Sequence, residues 1–200
     1  MKPIIAILFL TCVYQIMHAQ VHTYVRVVSK DNFTHETDSI LSVALPLIDS
    51  VVNTAAFRQG IFNARFRENK GLSNQTILNL FLGGKEVSSP IANDTIDLYL
   101  ETYPDQRGDN IGSTFNSHTI VSSQAYILRK GARCYAAHIV HEYCHTIGNG
   151  KIGFEHPHNT FWPGNKRKKC QSVPYIIGDL ARIILGINTC NFECENYQQQ

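Results

Sequence analysis

The residues from 132 to 147 constrain the fold most, because they combine apolar residues at helical spacing with two histidines at the spacing of metal ligands. Gly131 precedes this segment, and Gly148 follows it as a natural helix stop. His141 and His145 are four residues apart, so on a helix both imidazoles lie on one face, one turn apart. The sequence therefore predicts a helix that presents two imidazoles side by side.

Residues 141–145 (HEYCH) have the form HExxH, a pattern that indicates a catalytic metal site. His141 and His145 would bind one ion. Glu142 stands beside the first ligand, where its carboxylate can take the proton of a metal-activated water. Such a site needs one more protein ligand and one open coordination position. The third ligand must therefore lie elsewhere in the chain.

Residues 141–148 resemble the zincin superfamily of metallopeptidases, and within it the metzincin pattern HExxHxxGxxH. The next histidine of that pattern would fall at Lys151, which is not a good zinc ligand. Residues 153–156 (GFEH) restore the Gly-x-x-His ending five residues late, after an insertion at 149–153 (NGKIG). The resemblance therefore implies a Zn²⁺ ion with three histidine ligands: His141, His145 and His156.

Two residues beside His156 remain alternatives for the third ligand. Pro157 stiffens the segment between His156 and His158, and we expect only one of these histidines to face the metal. Glu155 would instead complete a His-His-Glu set, as in gluzincins. His138 shares the metal-facing side of the helix, and we interpret it as a packed histidine that supports the site rather than as a ligand.

Metzincins are named for a methionine turn beneath the metal, but this chain has no methionine after Met17. Residues 172–175 (SVPY) follow the motif and would serve as the corresponding turn. If Tyr175 points inward, its hydroxyl could bind the metal or stabilise the oxyanion, so we count it as a candidate catalytic residue. The alternative is a packed aromatic side chain that opens the last helix.

The resemblance implies an α+β fold of zincin type: a mixed, twisted sheet, an HExxH helix at the floor of a cleft, and a loop-rich C-terminal part closed by a helix. Local patterns predict strands at 22–28 and 95–102, and one or two short strands at 111–123. Helices are predicted at 37–53, which Pro46 would kink or split, at 73–81 and at 174–185. Residues 57–66 are predicted as strand or loop.

Residues 1–19 have the pattern of a secretory signal peptide, with Lys2, an apolar run at 4–14 and small Ala19 at the end. The apolar run is too short for a comfortable membrane span, so we expect no stable membrane insertion after cleavage. The remainder, 20–200, has the length of a single domain. We therefore expect a secreted or periplasmic protein, and a monomer.

Five cysteines remain after the signal peptide, and in an exported protein they can oxidise. Cys134 and Cys144 share one helix and are too far apart for a direct bridge. We expect bridges from Cys134 to Cys170 and from Cys190 to Cys194, with Cys144 left as a buried thiol. A zinc site made of cysteines is disfavoured, because no paired CxxC is present.

The combined prediction is a secreted zinc-dependent metallopeptidase that hydrolyses peptide bonds with a zinc-activated water and Glu142 as general base. The resemblance implies that a peptide or protein substrate binds along an edge strand at 112–121. The net charge of +2 gives no reason to expect a nucleic-acid partner. Two alternatives stay open: a secreted binding module with a structural or inactive zinc site, and a zinc amidase acting on non-protein amides.

Overall fold

The computed structural model describes residues 21–105, 111–148, 153–155, 168–188 and 190. Within these ranges the chain forms a four-stranded mixed sheet with helices packed against it, so the α+β prediction is confirmed at that level. The predicted signal peptide at 1–19, together with His156 and His158, lies outside the described residues.

Four strands make up the sheet: β1 (Tyr24–Asp31), β2 (Thr95–Tyr103), β3 (Gly112–Phe115) and β4 (Thr119–Ser123). Their order is β1-β2-β4-β3, with β1, β2 and β4 parallel and β3 antiparallel to β4. The predicted strands near 22–28 and 95–102 are confirmed, and 111–123 forms a hairpin. Asn116 and Ser117 turn this hairpin with positive φ. Among the described residues, β3 is an edge strand.

The longer helices are α1 (His35–Val52), α2 (Ala55–Asn63), α3 (Asn74–Leu82), α4 (Gln124–Tyr143) and α5 (Val173–Ile184). Four of them begin at a side chain that accepts a hydrogen bond from the backbone N–H three residues on, namely Thr34, Thr54, Ser73 and Ser123. Such caps satisfy backbone donors that the first helical turn leaves without partners. α1 continues through Pro46, so of the two predicted effects of this proline the split does not occur.

α4, which carries the HExxH motif, is the central helix of the fold. It packs against α1 and α5 and contacts β2, β3 and β4 of the sheet. Tyr135, Ile139 and Val140 are buried in the core, and burying a large apolar side chain contributes about 1.5–3 kcal/mol. Tyr143 meets the ring of Phe81 edge-on, with the ring centroids 5.1 Å apart. The motif therefore lies on a helix that is held from several sides.

α2 occupies residues 57–63, where the sequence predicted strand or loop, whereas 64–66 form a loop as predicted. Phe57 and Ile61, four residues apart, are both buried, which is the spacing of one helical face. The aromatic and basic residues around this pair obscure its helical spacing. Thr54 caps the start of the helix, a signal that the sequence prediction did not include. No single helix among the described residues is long and apolar enough to cross a membrane; α1 and α2, bent by 63°, meet that criterion only as a pair.

α4 consists of two helical stretches that join at Gly131, where φ 74° and ψ −177° are not helical values and glycine adopts them readily. The first stretch, from Gln124, was not predicted, whereas the second, which carries the motif, begins after Gly131 as predicted. It ends at Tyr143 rather than at residue 147. The backbone N–H groups of Cys144, His145 and Thr146 instead donate to carbonyls three residues back. His145 therefore lies on a tighter turn that continues the helix.

The cysteine pairing differs from both predicted bridges. Cys134 is bonded to Cys190, with a Cα–Cα distance of 5.7 Å, so the bridges from Cys134 to Cys170 and from Cys190 to Cys194 are wrong. The packing of α5 on α4 accounts for this pairing, because it returns the chain to the middle of α4. Cys170 is disulfide-bonded as well. Cys144 is a buried free thiol, as predicted.

Candidate metal centre

Three side chains of the HExxH motif come together at the end of α4. One ligand atom from each of His141, Glu142 and His145 can be chosen so that all three lie within 4.8 Å of one another. His141 is 5% exposed and Glu142 is 6% exposed, whereas His145 is half-buried. The imidazole centroids of His141 and His145 are 5.6 Å apart. The motif therefore gathers its two histidines beside a nearly buried carboxyl, as the sequence predicted.

The segment 153–155 fixes the orientation of His145. The Nδ1 of His145 donates a hydrogen bond to the carbonyl oxygen of Phe154, which places the imidazole lone pair on Nε2. The backbone N–H of Phe154 donates in turn to the carbonyl of Cys144 at 3.1 Å. A Cβ at Gly153 would lie 1.7 Å from the carbonyl oxygen of His145, so only glycine permits this approach. Residues 153 and 154 therefore pack directly onto the motif.

His141 is held by α5. A Cβ built at Gly178 would come within 2.8 Å of the Cβ of His141, so the two helices approach closely at this point. The ring of Tyr175 stands perpendicular to the His141 imidazole, with the centroids 4.7 Å apart. Lys169 lies over the Tyr175 ring at 5.2 Å. Tyr175 is thus beside the site, and it contacts the first candidate ligand through its ring.

The two oxygens of the Glu142 carboxyl have different neighbours. Its Oε2 accepts a hydrogen bond from the hydroxyl of Thr114 at 2.8 Å. Its Oε1 is 4.0 Å from His141 Nε2 and 3.8 Å from His138 Nδ1. Burial raises the pKa of Glu142 to about 7, although the hydrogen bond from Thr114 opposes the shift. A carboxyl with this pKa can both take up and release a proton near neutral pH.

His138 packs behind the motif, in agreement with its interpretation as a supporting residue. It is buried, and its Nε2 is 3.2 Å from the hydroxyl of Ser122. Burial lowers the pKa of His138 to about 3, and His145 adds to the shift. The imidazole is therefore neutral at physiological pH. Its contact with Glu142 is a polar contact and not an ion pair.

A cavity of about 330 Å³ opens beside the motif. Glu142 and His145 form part of its wall, and Glu155 is an exposed residue at the same cavity. The other described lining residues are small, apart from one phenylalanine: Gly112, Ser113, Thr114, Ser117, Gly153 and Phe154. Most of these belong to β3 and the segment 153–155. Glu142 therefore faces a space that a small group or an extended chain can enter.

Sequence reasoning did not single out three residues that shape this site. Thr114 contacts the general-base candidate, and Gly153 and Gly178 let backbone segments approach the two histidines. Thr114 lies inside the predicted edge strand, so the alternation of that strand was a usable signal for its inward direction. Nothing in the local sequence distinguishes Gly178 from other helical glycines. Its importance depends on which helix α5 packs against.

The donor set fits a divalent metal ion. Two imidazoles and a carboxyl are common ligands or partners of zinc and neighbouring transition metals. The hydrogen bond from His145 to a backbone carbonyl is the kind of outer contact that orients a metal-binding histidine. Comparison of the chain with protein-family models, with curated proteins and with solved structures found no match. The metal-binding hypothesis therefore depends on the geometry of this chain.

Proposed function

We propose that the protein is an exported zinc metallopeptidase with a zincin-like fold. The observation that carries the proposal is the convergence of His141, Glu142 and His145 on one point, beside a cavity that the carboxyl of Glu142 reaches. A structural metal site is normally closed by four protein ligands, whereas a catalytic one keeps an accessible position. The open cavity beside Glu142 supports the catalytic alternative over the binding module.

His156 is the proposed third ligand. The segment 153–155, which precedes His156 in the chain, lies against His145 and Cys144, and this contact supports the choice of His156. The proposal keeps His158 and Glu155 as alternatives, and Glu155 lines the cavity itself. An imidazole at the third position would complete the three-histidine set that the sequence resemblance implies.

The proposed reaction is hydrolysis of a peptide bond. A bound Zn²⁺ would polarise the scissile carbonyl and acidify a coordinated water. Glu142 would take the proton of the attacking water and pass it to the nitrogen of the leaving amine, which balances the proton over the reaction. The carboxyl is nearly buried and forms part of the cavity wall, which supports its role in both transfers. The hydroxyl of Tyr175 is the proposed donor to the oxyanion, since its ring lies against His141.

β3 is the proposed binding edge for an extended substrate. It is an antiparallel edge strand among the described residues, and it forms part of the cavity wall next to Glu142. The backbone groups of an edge strand can pair with a peptide in the same way as another strand. Ser113 and Phe115 are exposed on β3 and would contact side chains of the substrate.

Export is supported by the oxidised cysteines. The bridge between Cys134 and Cys190 requires a compartment in which disulfides persist, such as the periplasm or the extracellular space. The signal-peptide pattern at 1–19 points to the same compartments. The cavity next to Glu142 does not distinguish a peptide amide from another amide. We therefore propose a peptide substrate and keep a non-protein amide as the alternative.

The first test measures metal content by elemental analysis on purified protein. We expect about one zinc per chain in the wild type and almost none in His156→Ala, because two imidazoles alone hold zinc weakly. His35→Ala is the matched control, since His35 is an exposed histidine at the start of α1. Glu142→Ala should keep its zinc and lose peptide hydrolysis.

Each result of this test has a defined meaning. Stoichiometric zinc in His156→Ala would transfer the third-ligand assignment to His158 or Glu155. Absence of zinc from the wild type after reconstitution would overturn the catalytic proposal in favour of the binding module. Undiminished peptide turnover by Glu142→Ala would overturn the assignment of the general base.

A further inference from the structure

We propose that Thr114 is a positioning residue for the general base, and that its hydroxyl fixes which oxygen of Glu142 turns toward the metal ligands. The inference rests on the proposed function, because it takes Glu142 as the base. It assigns to the edge strand a second task beside substrate binding. The strand that would receive the peptide also holds the carboxyl that acts on it.

One hydroxyl of Thr114 reaches two oxygens of the same residue. Thr114 Oγ1 lies 2.8 Å from Glu142 Oε2 and 3.0 Å from the backbone carbonyl oxygen of Glu142. A threonine hydroxyl has a single hydrogen to donate, so the two acceptors share it. The contact therefore links the side chain of Glu142 to its own backbone through a neighbouring strand. This arrangement restricts rotation of the carboxyl.

The geometry of β3 explains why Thr114 is in this position. Ser113 and Phe115 are exposed, so the alternation of the strand turns Gly112 and Thr114 toward α4. A Cβ at Gly112 would lie 2.9 Å from His138 Nε2, which shows how closely β3 approaches the helix. At that separation a threonine side chain two residues on is long enough to reach Glu142.

The contact with Thr114 determines which oxygen of the Glu142 carboxyl faces the candidate metal ligands. With Oε2 held by Thr114, Oε1 is the oxygen that lies 4.0 Å from His141 Nε2, on the side of the candidate ligands. His138, the other neighbour of Oε1, is a neutral imidazole 3.8 Å away and makes no hydrogen bond at that distance. Thr114 is therefore the closest polar side chain that orients the carboxyl among the described residues.

The test compares Thr114→Val, which keeps the shape and removes the hydroxyl, with Thr114→Ser, which keeps the hydroxyl and removes the methyl. Thr119→Val is the matched control, because Thr119 lies in the same hairpin and its hydroxyl contacts His118 rather than Glu142. Each zinc-loaded variant is assayed for kcat and KM on a peptide. Each is also loaded with cobalt(II), whose visible absorption reports the surroundings of the metal site.

We expect Thr114→Val to keep one zinc per chain and its KM within about twofold, while kcat falls about 10- to 100-fold, because a misplaced base loses much of its effect. Thr114→Ser should recover kcat to within about threefold of the wild type. Thr119→Val should match the wild type. The cobalt(II) spectrum of Thr114→Val should change in the same direction as that of Glu142→Gln.

Several results would overturn the inference. Wild-type kcat in Thr114→Val would do so, as would a serine variant as impaired as the valine one, since packing would then be the cause. Loss of zinc from Thr114→Val would show that Thr114 is needed to form the metal site, rather than to orient the base. If the wild type binds metal but cleaves no peptide, the proposed function fails and the cobalt(II) spectra decide alone: unchanged absorption in Thr114→Val then rejects the positioning role.

Discussion

Glu142 belongs to the motif helix and Glu86 contacts it, and these two buried glutamates have different surroundings. Glu142 lines the cavity and receives one hydrogen bond from Thr114. Glu86 is 2% exposed and lies in the core, where its Oε1 accepts hydrogen bonds from the hydroxyl of Tyr143 at 2.5 Å and from the backbone N–H of Asp97 at 3.1 Å. Among the described residues, only Glu142 of these two reaches the cavity wall.

Burial raises the pKa of both carboxyls, so a raised pKa does not separate a catalytic group from a structural one. The difference lies in what each carboxyl faces. Glu142 adjoins two candidate metal ligands and open space. Glu86 connects the loop after α3 to the motif, because its backbone also forms an isolated β-bridge with Ile147. Accessibility to a substrate, rather than burial, indicates the chemical role.

The largest expected effect is a difference in activity between variants of Glu142 and Glu86. Glu142→Gln should lower kcat by at least about 100-fold, the usual contribution of a general base, because an amide cannot accept the proton. Glu86→Gln should keep activity within about threefold, since its amide oxygen can still accept from Tyr143 and Asp97. The measurement is steady-state peptide hydrolysis at equal zinc content. An equal loss in both variants would break the comparison.

The next prediction concerns stability, which the Glu86 variant should lose more than the Glu142 variant. Glu86→Ala leaves the hydroxyl of Tyr143 and the N–H of Asp97 buried without their acceptor, which should cost about 1–3 kcal/mol. Glu142→Ala removes a buried carboxyl beside a cavity and should change the free energy of unfolding by less than about 1 kcal/mol. Urea unfolding of the disulfide-intact proteins measures both. A greater loss in Glu142→Ala would make Glu142 a structural residue as well.

The smallest effect is a pH dependence. Burial holds the pKa of Glu86 above its ordinary value of 4.5, so the folded state binds this proton more tightly than the unfolded state does. The contribution of Glu86 to stability is therefore complete below pH 4.5 and declines as the pH rises through the raised pKa. Glu86→Gln should show a smaller decline in unfolding free energy between pH 4.5 and pH 8 than the wild type. Parallel curves for the two proteins would show that Glu86 does not titrate differently on folding.

Local patterns were sufficient for the elements that carry the motif. The histidine spacing predicted the face that carries the motif, and the local pattern predicted the short strands at 111–123, of which β3 lines the cavity. The predicted helices at 37–53, 73–81 and 174–185 agree with α1, α3 and α5 to within two residues at each end. These features depend on periodicity within a single element, which a sequence displays directly.

The features that the sequence did not disclose depend on contacts between elements. The bridge between Cys134 and Cys190 spans 56 residues and requires the packing of α5 on α4. Glu86 stands in an irregular segment after α3, where no periodicity marks it as buried. Thr114 and Gly178 act on the motif across a sheet–helix contact and a helix–helix contact. A pattern within one element contains no information about such partners.

The bridge between Cys134 and Cys190 also closes a covalent ring that contains every residue between them, including the motif and α5. One backbone cut anywhere inside this ring leaves two pieces that are still joined by the disulfide. A chain that is cut once in this segment therefore keeps the HExxH motif and α5 on one molecule. A nicked chain would migrate as one species without reducing agent and as two with it.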